Sequence, residues 1–361
     1  MALNPGTMYA FSMLREYNIQ SLQAQFPTYD WVFGLQRLTD NTHMHTVNDP
    51  YNAFMLTAQV WCYIHDRLRY REFFSLIPRT LPHLPPETLI TRCPACPDPD
   101  MNMVNGWWET PEYLRHLNMM YTMLDGNCKT HRFHKRGNKG DHLIYQVNSY
   151  YDNNYKYSKY LLKVKKKKLA EPVPDCDSVK VIAQLTDLAT HGMAVTGMVN
   201  HQCSHVFIMG VIDIYGAENQ ANVDAAFSRG YWLYSYNDKK ISASTSHCEE
   251  VPHKQTYNTE CTYAMNQAIH FNTFQYLRRH HKFVTCLEHR IPIVHLTGHK
   301  MLLCKILFAL FYHWCNGHFT KEAAEQAWPL MNRVATYSCQ AGPGHRKISI
   351  SPTSMTTTGR N

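Results

Sequence analysis

The run Leu117-Asn118-Met119-Met120-Tyr121-Thr122-Met123-Leu124-Asp125-Gly126-Asn127 decides how the chain is read. Its apolar part ends on a carboxylate and then a Gly-Asn pair. That pattern predicts a buried strand that delivers Asp125 to its exposed end, with a turn behind it. The polar stretch Cys128-Lys129-Thr130-His131-Arg132-Phe133-His134 would be the return strand of a hairpin. Asp125 then has two readings. It starts a turn and nothing more, or it holds a metal at the tip of a central strand. The rest of the chain has to choose between them.

A chain of 361 residues, 44% hydrophobic and only 18% charged, can bury a sizeable core and should be globular for most of its length. Its formal net charge of +8 mildly favours a polyanionic partner over an acidic substrate. The start, Met1-Ala2-Leu3-Asn4-Pro5-Gly6, does not read as a signal peptide. The twelve cysteines are scattered singly apart from Cys93 and Cys96, which favours free or metal-bound thiols over a disulfide framework. The most apolar run, residues 301–314, is shorter than the roughly 20 residues a bilayer-spanning helix needs, so no membrane partner is expected.

Taken in order, residues 1–92 read as a helical region of unknown role, with a helix over residues 51 to about 77. Cys93-Pro94-Ala95-Cys96-Pro97 can supply two ligands to one metal ion or serve as a structural knuckle. Residues 137 to about 174 look like an insertion, rich in tyrosine and ending in Lys165-Lys166-Lys167-Lys168. Those lysines fit a solvated face, a nuclear address or a phosphate-backbone patch. Short strands are expected at residues 193–199, 206–209 and 232–236. Helices are expected at 213–227, at 256–279 and after the N-cap Thr320, the last bearing Glu322 and Glu325. Residues 347–361 read as a disordered tail. This order suits an α/β fold with a ribonuclease-H-like core, in which carboxylates from the first strand, a later neighbouring strand and the last helix converge to hold two divalent cations.

Several blocks resemble, in family order, the Kyakuja-Dileera-Zisupton (KDZ) transposases associated with cysteine-cluster modules. Cys93-Pro94-Ala95-Cys96-Pro97 with Gly106-Trp107 resembles the family's opening, and Leu124-Asp125-Gly126-Asn127 its first catalytic strand. Cys203-Ser204-His205-Val206-Phe207 leads into Asp213, Glu218, Asn222, Val223 and Asp224, as in a family signature. Ser235-Tyr236-Asn237 stands where the family usually has Ser-Tyr-Asp. His295, His299 and Cys304 resemble a His/His/Cys block. Gly317, Glu322, Glu325, Trp328 and Asn332 resemble the glutamate-bearing helix, followed by Gly344-His345-Arg346.

The resemblance implies a metal-dependent DNA transposase domain over residues 93–346, using Mg²⁺ or Mn²⁺ and working in the nucleus; an oligomer is compatible with it. Asp125 and Glu322 would be two catalytic carboxylates, with the third position on Asn237, a neutral amide. The cysteine that the family carries three residues after that aspartate is absent; Lys240 stands there. Asn219 replaces a common Arg, Thr320-Lys321 replaces Asp-Gly, and no cysteine-rich module precedes Cys93. Such a chain reads as a catalytically impaired, truncated or domesticated copy. The alternative is a non-catalytic nucleic-acid-binding or zinc-stabilised scaffold. Cys203, His205, His295, His299 and Cys304 have the chemistry of one zinc site drawn from two blocks, or are simply buried and hydrogen-bonded.

Overall fold

Three helices precede the central strand in this computed structural model, which describes residues 7–24, 26–69, 93–99, 101–134, 151, 154–167, 192–235, 251–313, 323–347 and 349–350. They are α1 (Phe11–Gln23), α2 (Thr28–Thr39) and α3 (Tyr51–Arg69). Leu14, Tyr17, Val32, Phe54 and Ala58 close a small core between them. The helix expected over 51–77 is described as far as Arg69; the remainder lies outside the described residues.

The apolar run forms β1 (Met120–Asn127). Successive strand residues point to opposite faces, and both faces of β1 are covered. Leu124 joins one core cluster with Phe227 and Phe271, while Met123 joins another with Trp328 and Met331. The return strand is not residues 128–134. Asn127 Oδ1 accepts the backbone N–H of Lys129 and tightens Cys128–Thr130 into a 3-10 turn. The chain then leaves through β2 (Arg132–Phe133), which pairs with β3 (Met193–Val195) in a separate two-stranded sheet. The antiparallel partner of β1 is β4 (Gly197–Cys203), which in turn pairs with β5 (Ile208–Ile214).

Between β2 and β3 lies α4 (Asn154–Lys167), inside the expected insertion. Tyr157 and Tyr160 of this helix are buried; they hydrogen-bond Asn222 at 2.6 Å and Asp224 at 3.1 Å. After β5 comes α5 (Gln220–Ser235). It continues through residues 232–235, where the aromatic run had the look of a strand. Asp213, placed in a helix by periodicity, belongs to β5. β6 (His253–Thr256) lies parallel to β1, and α6 (Glu260–Thr273) follows it. Thr256 therefore ends a strand and does not open a long helix. β7 (Glu288–Arg290) lies parallel to β6, and α7 (Ala323–Ser338) covers the opposite face from α5 and α6. The sheet order is β5-β4-β1-β6-β7. This is a mixed α/β architecture with β1 at its centre. Order extends past Arg346: residues 343–347 and 349–350 are helical, and Ile350 is buried against the α7 side.

α5 can lie close on the sheet because it carries Gly230. A Cβ there would overlap the Nδ1 of buried His201 and press on Met209. Facing it, a Cβ at Gly210 would stand 2.7 Å from the Gly230 nitrogen. Helix propensity alone would favour alanine at Gly230 by about 1 kcal/mol. The contact predicts the opposite: Gly230→Ala should lower unfolding free energy by about 1–3 kcal/mol in urea denaturation, and a gain in stability would contradict this packing.

Candidate active site and metal centres

Because β1 and β6 are parallel, their carboxyl ends lie on one edge of the sheet, the usual place for a site in α/β proteins. Met123 pairs with Thr256, so two residues further on Asp125 and Asn258 are neighbours. Asn258 Nδ2 donates to Asp125 Oδ1 at 2.8 Å. From the α7 face, Trp328 Nε1 donates to Asp125 Oδ2 at 2.6 Å. Asp125 is only 6% exposed. Burial pushes its carboxyl above the ordinary range; the Trp328 and Asn258 hydrogen bonds and the nearby His295 oppose that, and Glu325 adds to it.

Glu218 completes the group. Its residue is half-buried, but the carboxyl itself is enclosed, packed so closely on Gly126 that a Cβ there would overlap it. Tyr257 Oη donates to Glu218 Oε1 at 2.6 Å. Burial raises the Glu218 carboxyl from 4.5 to about 7, against the Tyr257 hydrogen bond and with help from the Asp125 charge. Two carboxyls, both raised by burial and Glu218 also by the Asp125 charge, share one poorly solvated corner. Glu325, on the first turn of α7, is exposed and close enough to act on Asp125.

Two of the three expected catalytic residues, Asn237 and Glu322, lie outside the described residues. The residue beside Asp125 at the end of the neighbouring strand is Asn258. It sits in Tyr257-Asn258-Thr259-Glu260-Cys261, a second Tyr-Asn pair with a cysteine three residues on. A cysteine at that spacing is what Tyr236-Asn237 lacks. Glu218, Tyr257 and Trp328 carried no separate sequence signal for this pairing.

The Cys/His residues form two groups, not one. Cys93, Cys96, Cys203 and His205 bring their ligand atoms within 4.8 Å of one another, with Cys96 Sγ 3.5 Å from His205 Nδ1. The pair Cys93/Cys96, read above as two ligands of one ion or a structural knuckle, is thus joined by Cys203 and His205. Two ligands of a tetrahedral zinc, with Zn–S ~2.3 Å and Zn–N ~2.0–2.1 Å, stand about 3.5 Å apart. The turn that presents His205 holds Val206 at φ +66, a backbone conformation that β-branched residues rarely adopt. Hydrogen bonds from the neighbouring thiols and His205 push the Cys93 thiol down, while Cys203 is pushed up to about 12. The second group is Cys261, His299 and Cys304. His295 is half-buried and belongs to neither, though its field reaches both Asp125 and His299. Both groups can hold a metal such as zinc.

Lys165, Lys166 and Lys167 are exposed in the last turn of α4, where the helix dipole favours cations; Lys168 lies outside the described residues. Other family-block residues turn out to be ties within the fold. Arg346 is buried and bonds Asp213 at 3.0 Å, and Asn127 Nδ2 donates to Asn332 Oδ1 at 2.8 Å. Asp224 is fully buried and accepts from Tyr160, Tyr263 and His270. Among the described residues no helix is long and apolar enough to cross a membrane.

Fold and site together define a mixed α/β protein with a carboxyl pair at the carboxyl edge of its sheet and two Cys/His groups. Residues 118–354 match the family model described as Kyakuja-Dileera-Zisupton transposase. That span is most of the chain, and the chain belongs to this family. No curated protein and no solved structure gives a significant match.

The raised Glu218 carboxyl has a consequence for stability. Its native value lies above the unfolded one, so the folded chain holds the extra proton between about 4.5 and about 7. The sign follows: this group costs stability as pH rises through that window, and the loss is complete above it. Glu218→Gln should therefore remove a downward slope in thermal stability between pH 4.5 and 7 and melt above the parent at pH 8. Parallel melting profiles for the two proteins would contradict the assignment.

Proposed function

We propose that this chain is a KDZ-type transposase core that acts on DNA by metal-dependent phosphoryl transfer, impaired because the second carboxylate position is an amide, Asn258. The ribonuclease-H-like reading is supported by three approaches to one point: the first strand brings Asp125, the end of a parallel neighbour brings Asn258, and the last helix brings Trp328 and Glu325. The observation that carries the impairment is the Asn258 Nδ2 bond to Asp125 Oδ1. An aspartate there would add a negative charge; the amide adds none and spends its donor on Asp125.

The donor set fits a divalent cation. Asp125 and Glu218 are hard oxygen ligands, and both are raised by burial, a cost that a bound cation reverses. Mg²⁺ or Mn²⁺ held there would activate an attacking oxygen and stabilise a leaving one. Trp328 and Asn258 fix the Asp125 carboxylate, and Tyr257 fixes Glu218. The lysines at the end of α4 would meet phosphates. Cys93, Cys96, Cys203 and His205 would hold a structural zinc, four ligands and closed. A DNA substrate implies work in the nucleus. The second reading, a DNA-binding scaffold without catalysis, is favoured by the same Asn258 bond.

A nicking assay on supercoiled plasmid with Mn²⁺ separates the two. The expected outcome is weak cleavage that Asp125→Ala abolishes and Asn258→Asp raises by on the order of 10²-fold, the scale of one electrostatic group in a catalytic site. Cleavage untouched by Asp125→Ala would reject the site. Salt-dependent DNA binding with no cleavage even in Asn258→Asp would establish the scaffold reading.

A further inference from the structure

Cys261, His299 and Cys304 meet directly behind the turn that carries Asn258. Cys261 lies in the first turn of α6, His299 follows the one-turn helix Ile293–Leu296, and Cys304 lies in the short helix Leu302–Leu307. All three are buried, and their ligand atoms lie within 4.8 Å of one another. The cysteines share an apolar cluster with Ile291, Leu296 and Ala309. Buried thiols among apolar residues are commonplace, and packing alone would explain Cys261 and Cys304. It does not explain the histidine.

His299 Nδ1 stands 3.5 Å from Cys261 Sγ, the separation of a sulfur and a nitrogen ligand on one tetrahedral zinc. The other ring nitrogen, Nε2, is 2.9 Å from the backbone carbonyl oxygen of Asn258. A carbonyl can only accept, so Nε2 carries the proton and Nδ1 presents its lone pair to the thiols. A ring held by a backbone carbonyl on one nitrogen, with the other aimed at sulfur, is how metal-ligating histidines are oriented.

We propose that Cys261, His299 and Cys304 form a second zinc site, separate from the Cys93/Cys96/Cys203/His205 group, with three protein ligands and a fourth position for water. Two thiolates and an imidazole select zinc over the hard cations proposed for Asp125. Binding releases the two thiol protons. The ion ties the first turn of α6 to the segment 299–304, and through His299 it fixes the carbonyl of Asn258. Zinc here is a positioning element for the turn beside Asp125. It stands whether or not the chain cleaves DNA.

The test is metal content of the purified full chain, with cobalt as the spectroscopic probe. Two zinc ions per chain are expected, with one left in Cys261→Ser and in Cys304→Ser. On the parent chain, cobalt should give thiolate charge-transfer absorption that saturates at two ions, which needs no variant to fold. Removing the more labile ion should speed amide exchange over residues 257–262 by roughly tenfold or more. Zinc content left unchanged in both serine variants, whether one ion per chain or two, would overturn the proposal.

Discussion

The Asp125 carboxylate accepts from Trp328 at 2.6 Å and from Asn258 at 2.8 Å, so one buried anion joins the middle strand, the end of its parallel neighbour and the last helix. Such a group cannot be left unpaired without a large desolvation cost. Three elements must therefore arrive together, and the sheet order follows from that need. β1 sits centrally because it has to be covered on both faces, by α5 and α6 on one and by α7 on the other. The family blocks that look catalytic in sequence divide accordingly. Asp213, Asn222, Asp224, Asn332 and Arg346 hold the layers together, while Asp125, Glu218, Trp328 and Glu325 gather with the Asn258 turn at the shared edge.

Charge is scarce at that edge. Glu218 reaches Asp125 only because Gly126 lacks a side chain, and both carboxyls are raised by their enclosure. Asn258 hydrogen-bonds Asp125 in that corner and brings no charge to it. Donor groups of two chemistries stand close together: the carboxyl oxygens of Asp125 and Glu218 on one side of the Asn258 turn, and the Cys261, His299 and Cys304 group on the other, joined through the backbone of that turn.

Much of this was legible in the sequence, and the rest was hidden for physical reasons. β1 was readable because a strand buried on both faces is a continuous apolar run ending on its functional residue. β6 was not, because His253-Lys254-Gln255-Thr256 has no apolar residue at all. It is buried through side-chain hydrogen bonds, Thr122 to His253 at 2.6 Å and Gln255 to Glu260 at 3.1 Å. With β6 unseen, Asn258 had no strand to follow and drew no attention. The aromatic stretch after Gly230 was read as a strand for the converse reason: Trp and Tyr are rich in strands, and the helix that holds them shows its place only through Gly230, where it touches the sheet. Ligand types were visible as Cys and His, but not their grouping, since each set is assembled from segments more than thirty residues apart, as the 3.5 Å contacts of Cys96 with His205 and Cys261 with His299 illustrate.

The central claim is that Asp125 and Glu218 together offer a cation-binding corner that Asn258 leaves short of charge. Titration of the zinc-loaded chain with Mn²⁺, followed by electron paramagnetic resonance, tests it most directly. The account predicts one weakly held Mn²⁺ per chain, lost in Asp125→Ala and held at least tenfold more tightly in Asn258→Asp, a gain of about 1.4 kcal/mol. Specific Mn²⁺ binding that survives Asp125→Ala, or no tightening in Asn258→Asp, would contradict it.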